Sequence, residues 1–142
     1  MNRRQLPIGI QDFRTIREDH CYYVDKTALI RQLVQGGRHY FLSRPRRFGK
    51  SLLLDTLREL FECNEPLFRG LDIHQHWDWN DEHPVVRLSF DGKYNEPGEL
   101  AKDILLQLAI AERNLGVDPP PGSPTGPGRL RYLLDGLHRK TG

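Results

Sequence analysis

Apolar residues recur along this chain with two different periods, and the periods set out its predicted elements. Leu29, Ile30, Leu33 and Val34 share one face of a helix predicted from Lys26 to about Gln35, with Asp25 placed to cap its start and Gly36-Gly37 to end it. Leu53, Leu57, Leu60 and Phe61 fall at i, i+4, i+7 and i+8, which predicts a second helix from Ser51 to about Glu62. A third, from about Gly98 to Leu115, turns Ala101, Ile104, Leu105, Leu108 and Ala111 inward, with Gly116 just past its end. A fourth, about Arg129 to Arg139, uses Leu130, Leu133, Leu134 and Leu137. Two short apolar runs between helices, about Arg38 to Ser43 and Val85 to Phe90, read as strands, the second closed by the turn dipeptide Asp91-Gly92.

The remaining segments lack a sustained period. Leu6 to Glu18 reads as an irregular arm leading into a short turn or helix, and Tyr22-Tyr23-Val24 is β-prone but brief. Leu67 to His83 holds Phe68, Leu71, Ile73, Trp77 and Trp79 and reads as a packed loop with short pieces of structure. Residues 117–128 contain five prolines and three glycines, the composition of an exposed loop. No internal repeat is visible.

The junction between the first predicted strand and the second helix carries the densest chemistry. Tyr40-Phe41-Leu42-Ser43 is followed by Arg44-Pro45-Arg46-Arg47-Phe48-Gly49-Lys50-Ser51 and then Leu52-Leu53-Leu54, in the order strand, phosphate loop, helix. A helix start leaves backbone N–H groups without partners and carries the positive end of the helix dipole, so an anion docks there readily. In such a loop Gly49 lets the backbone approach, Lys50 reaches the outer phosphates and the Ser51 hydroxyl ligates Mg²⁺. Arg44 stands where the full pattern has a glycine, and Pro45 removes an N–H donor, while Arg46 and Arg47 add charge. Two plainer readings stand beside this one. The segment is also consistent with a basic turn whose Lys50 and Ser51 are merely solvated, or with a patch whose arginines contact nucleic-acid phosphates. Only Phe48 interrupts the basic run, which gives base stacking little support.

Composition narrows the field. The 142 residues suit one domain, near the low end for a phosphate-loop sheet of about five strands. With 21 Lys and Arg against 19 Asp and Glu the net charge is only +2, so no global field points to nucleic acid or an anionic membrane. The basic character is local: five cationic side chains and no acid lie between Arg38 and Lys50. Cys21 and Cys63 have neither metal-ligand spacing nor a disulfide framework, and no apolar leader begins the chain, so a reducing cytoplasm is the expected compartment. No apolar stretch approaches 18 residues, so no membrane partner is expected.

Outside the loop the candidates read as structural. Asp91 follows an apolar strand, as a Mg²⁺-orienting acid would, but Asp91-Gly92 is equally a plain turn. His74 and His76 have no third ligand nearby. Asp25 reads as a helix cap, and Tyr22 and Tyr23 as packing residues rather than contacts to a base.

Taken together, LPIGIQDF, CYYVDKT, YFLSRPRRFGKSLLLDTL, LFRGLDI and PVVRLSF resemble, in order, the AAA-ATPase-like family of bacterial and archaeal proteins. The resemblance implies a three-layer α/β domain of the phosphate-loop NTPase class, usually followed by a restriction-endonuclease-like nuclease domain. It implies ATP or another nucleoside triphosphate with Mg²⁺ as cofactors, held by Gly49, Lys50 and Ser51, with Ser51 as metal ligand and Arg46, Arg47, Phe48 and Leu52 flanking. The family continues past the last helix into an apolar strand ending in Asp-Glu, whereas this chain stops at Lys140-Thr141-Gly142. On that comparison the chain reads as the N-terminal part of a longer member, binding nucleotide without turnover. The alternative from another class is a non-catalytic binding module whose basic loop contacts nucleic-acid phosphates or a partner protein.

Overall fold

Asp12 caps the first helix by accepting the Thr15 backbone N–H at 2.7 Å, and this helix, α1 (Phe13–Glu18), buries Phe13 and Ile16. The computed structural model describes residues 4–122 and 125–141. It continues with α2 (Thr27–Gly36), α3 (Lys50–Phe61), two 3₁₀ turns at Glu65–Phe68 and Asp72–Gln75, α4 (Glu99–Leu115) and α5 (Gly126–Thr141). The chain divides into two compact units, one running through His83 and the other from Pro84.

In the first unit the core gathers Phe13, Ile30, Leu60, Leu67, Phe68, Leu71 and Ile73. Aromatic rings meet inside it, with Phe13 and Phe68 centred 4.9 Å apart and Trp79 5.3 Å from Phe68. Leu53 and Leu57 of α3 pack on this core, as their helical spacing predicts, and Leu52 joins them. The segment Leu67 to His83 takes in the end of the first turn and the whole of the second, which carry Leu67, Phe68 and Ile73 inward. Asp25 ties α2 to the second turn. Its Oδ1 accepts the Thr27 N–H and hydroxyl at 2.9 and 2.7 Å, its Oδ2 accepts the Asp72 N–H at 2.7 Å, and the Thr27 hydroxyl accepts the Ile73 N–H.

In the second unit Leu108, Val117, Leu133 and Leu137 form the core between α4 and α5, flanked by Val86, Leu88, Ile104 and Leu130. Gly116, with φ of 63°, ends α4 in the left-handed conformation, and the Val117 N–H returns to the Glu112 carbonyl at 2.9 Å. Helix α5 begins inside the proline- and glycine-rich segment rather than at Arg129, because Pro127 falls in the first helical turn, where its missing N–H leaves nothing unpaired.

The three-layer α/β fold is overturned. Among the described residues there is no β-strand, and both runs read as strands are irregular. A strand exists only with a ladder partner for its N–H and C=O groups. At Val85 to Phe90 a side chain takes that place. Gln107 on α4 accepts the Ser89 N–H at 2.8 Å and donates to the Ser89 carbonyl at 2.6 Å, while Val86 and Leu88 pack against the α4–α5 core. At Arg38 to Ser43 no backbone–backbone hydrogen bond forms among the described residues. Tyr40 instead turns back to α2, its hydroxyl donating to the Leu33 carbonyl.

Candidate functional site

The basic loop leaves α2 at Gly37 and enters α3 at Gly49, and every residue between them is exposed. Gly49 has φ of 76°, a left-handed conformation that favours glycine, and Arg47 shares it at 65°. A Cβ at Gly49 would meet nothing within 4 Å, so the dihedral rather than a close approach calls for glycine. Lys50 Nζ donates to the Arg44 carbonyl at 2.6 Å, closing the loop on itself. The side chains of Arg44, Arg46 and Arg47 make no hydrogen bond or ion pair among the described residues, and no acidic residue lies between Asp25 and Asp55 to neutralise them. Phe41 and Phe48 are 94% and 62% exposed. Ser51 is half-buried, and Leu52 faces the first unit's core rather than the loop.

These positions do not make a nucleotide site. A phosphate loop holds its anion because a paired strand and a helix together aim several backbone N–H groups at one point. Here no strand precedes the loop, Pro45 offers no N–H, and the Lys50 ammonium is engaged by the loop's own carbonyl. Among the described residues no group of three or more His, Cys, Asp or Glu could hold a metal ion, so no acid set accompanies Ser51. ATP, Mg²⁺ and a nucleoside triphosphate partner are therefore corrected as expectations, together with the phosphate-loop (Walker A) description itself.

The other candidates have structural partners. Asp91 accepts from the Ser89 hydroxyl. His74 Nε2 lies 3.0 Å from Glu65 Oε1, and His76 Nδ1 lies 2.8 Å from the Asp72 carbonyl. Tyr23 packs edge-on to Phe13, and burial raises its phenol above the ordinary value. Burial works against the Asp25 carboxylate, but the Thr27 and Asp72 donors outweigh it and hold the group below the usual carboxylate range.

Sequence reasoning missed the buried acids. Asp55 accepts the Phe13 N–H at 2.7 Å and bridges to Arg58 at 2.8 Å. Glu59 receives Arg14 at 2.7 Å, Arg58 at 2.8 Å and Asn64 at 2.7 Å. Glu112 takes Arg129 through two contacts of 2.9 and 2.6 Å. The available signal was position: Asp55, Thr56 and Glu59 lie beside Leu52 and Leu60 on the inner face of α3.

The family profile described as "Predicted AAA-ATPase" matches residues 7–142. The chain belongs to the AAA-ATPase-like family. Membership does not bring the phosphate-loop sheet with it, because the described residues are helical without a strand. A relative from Azotobacter chroococcum mcd 1, described as an uncharacterized protein in the vnfD 5′ region, is 58% identical over 119 residues, which is 82% of this chain and 23% of that protein. The chain thus spans about a quarter of the length of the curated relative it matches. No solved structure matches. No helix among the described residues is long and apolar enough to cross a membrane.

Proposed function

We propose that the chain is a non-catalytic binding module whose loop from Arg38 to Lys50 contacts nucleic-acid phosphates. The observation that carries this reading is a loop exposed from Arg38 to Gly49, with three arginine side chains that have no partner among the described residues. Unpaired guanidiniums neutralise phosphates without first breaking an internal ion pair, and they release condensed counterions as they do so. The rings of Phe41 and Phe48, open to solvent on the same loop, supply surfaces on which unpaired bases stack, which favours single strands. Contact with a partner protein is favoured by a different observation. The backbone of residues 38–45 has no backbone partner among the described residues, so a second chain's strand has groups to pair with. Free thiols at Cys21 and Cys63 suit a reducing cytoplasm.

A labelled single-stranded oligonucleotide titrated at several salt concentrations tests the main reading. Four phosphate contacts, through Arg38, Arg44, Arg46 and Arg47, give a log–log salt slope of about −2.8, or about 50-fold weaker binding between 50 and 200 mM salt. Substituting R44A, R46A and R47A together reduces the slope to about −0.7. An unchanged slope, or no binding at the lower salt, sinks the nucleic-acid reading.

A further inference from the structure

A cleft of about 510 Å³ in the first unit, apart from the basic loop, is lined by four arginines, Arg4, Arg14, Arg17 and Arg69, together with Glu18, His20 and Asn64. We infer that this cleft binds a metabolite-sized dianion, a phosphomonoester or a dicarboxylate.

The charge balance is the first argument. Two acids answer the four guanidiniums: Glu59, which takes Arg14 at 2.7 Å, and Glu18, 3.4 Å from the same arginine. Both therefore serve Arg14, and neither reaches the other three. Arg17 Nε and one terminal nitrogen donate to the carbonyls of Leu67 and Arg69 at 2.6 and 2.7 Å, contacts with neutral groups that fix the guanidinium plane without cancelling its charge. Arg4 and Arg69 have no side-chain partner among the described residues. Asp25 also attracts Arg17, so the uncancelled surplus is the pair of guanidiniums on Arg4 and Arg69, two positive charges that a dianion cancels. Like charges around one cleft repel, and its walls concentrate their field on whatever enters.

Geometry is the second argument. Arg17 is held by the two hydrogen bonds it donates to carbonyls at the C-terminal end of the turn that begins at Glu65, so it presents its remaining N–H groups in a fixed direction, and planar guanidiniums match the paired oxygens of phosphate and carboxylate. The volume lies within the range of small-molecule sites, about 300 to 1,000 Å³. A macromolecular phosphate backbone needs no such cleft.

Inorganic phosphate and succinate are the probes, titrated calorimetrically into the full chain with acetate as the monoanion control. Saturable binding of phosphate or succinate with a dissociation constant of a few millimolar or better, and at least about tenfold weaker binding in Arg69→Ala, is the expected result. Arg4→Ala with Arg69→Ala abolishes it. Neither side chain has a partner among the described residues, so folding is retained, and the tryptophan emission of Trp77 and Trp79 verifies that. The better-bound probe names the ligand class. No saturation by either dianion, equal affinity for acetate, or unchanged affinity in the double variant overturns the inference. Binding lost in the R44A/R46A/R47A variant but kept in the Arg4 and Arg69 double variant also overturns it, and places the anion on the basic loop instead.

Discussion

Replacing Glu59 with glutamine tests whether a buried acid, rather than the aromatic core alone, holds the first unit together. Glu59 is 1% exposed and receives three donors: Arg14, Arg58 and Asn64. Glutamine keeps the shape and one acceptor oxygen, but it removes the charge and places an NH₂ group against donors. Removing one partner of a buried ion pair typically costs about 3–5 kcal/mol. The Arg14 and Arg58 side chains are 44% and 34% exposed, so water takes back part of their charge once Glu59 is gone, and solvent screening lowers the expected loss to about 2–3 kcal/mol. Both tryptophans, Trp77 and Trp79, belong to the first unit, so their fluorescence in a urea titration reports this unit alone. With a urea dependence of about 1 kcal/mol per molar for so small a unit, the midpoint falls by roughly 2 M or more. In the glutamine background, Arg14→Met then costs much less than in the wild type, because the contact it removes is already gone. A midpoint within about 0.3 M of the wild type, or an undiminished effect of Arg14→Met, would refute the reasoning.

Leu133→Ala removes a fully buried side chain between α4 and α5 and costs about 2–5 kcal/mol; far-UV circular dichroism should show earlier melting while the tryptophan midpoint stays in place. Gly116→Ala forces a Cβ into a left-handed residue with φ of 63° and within 3.2 Å of Lys140 Nζ, at a cost of about 1 kcal/mol read from the same melt. The depressed Asp25 carboxyl contributes stability that is fully present above about pH 4 and is lost as pH falls through its lower folded value. Asp25→Asn should therefore lower tryptophan-monitored stability at pH 7 and flatten the acid limb below about pH 4. An acid limb as steep in the variant as in the wild type would assign the whole effect to other carboxyls such as Asp12, which the Thr15 N–H also holds below the usual range.

Periodicity alone determined most of the helices. The spacing of Leu53, Leu57 and Leu60 and of Ile104, Leu108 and Ala111 placed α3 and α4 within a residue or so of their observed ends, because a helix satisfies its backbone groups locally and needs from the rest of the chain only a surface for its apolar stripe. Asp25 was legible at the start of α2 for a related reason, since its partner Thr27 is two residues away, although the helix's N-cap position itself is Lys26. Strands offer no such local closure. Whether Arg38–Ser43 and Val85–Phe90 become a sheet depends on which distant groups meet their N–H and C=O, and the folded chain answers with Gln107 for one and with no backbone partner for the other. The nucleotide expectation rested on that sheet and went with it. What remained of the loop, its row of arginines without acids, was already written in the sequence. The arginine cleft was not, because Arg4, Arg14, Arg17 and Arg69 come from the arm, α1 and the turn after α3, and only tertiary packing decides which of such dispersed charges meet an acid and which face one another.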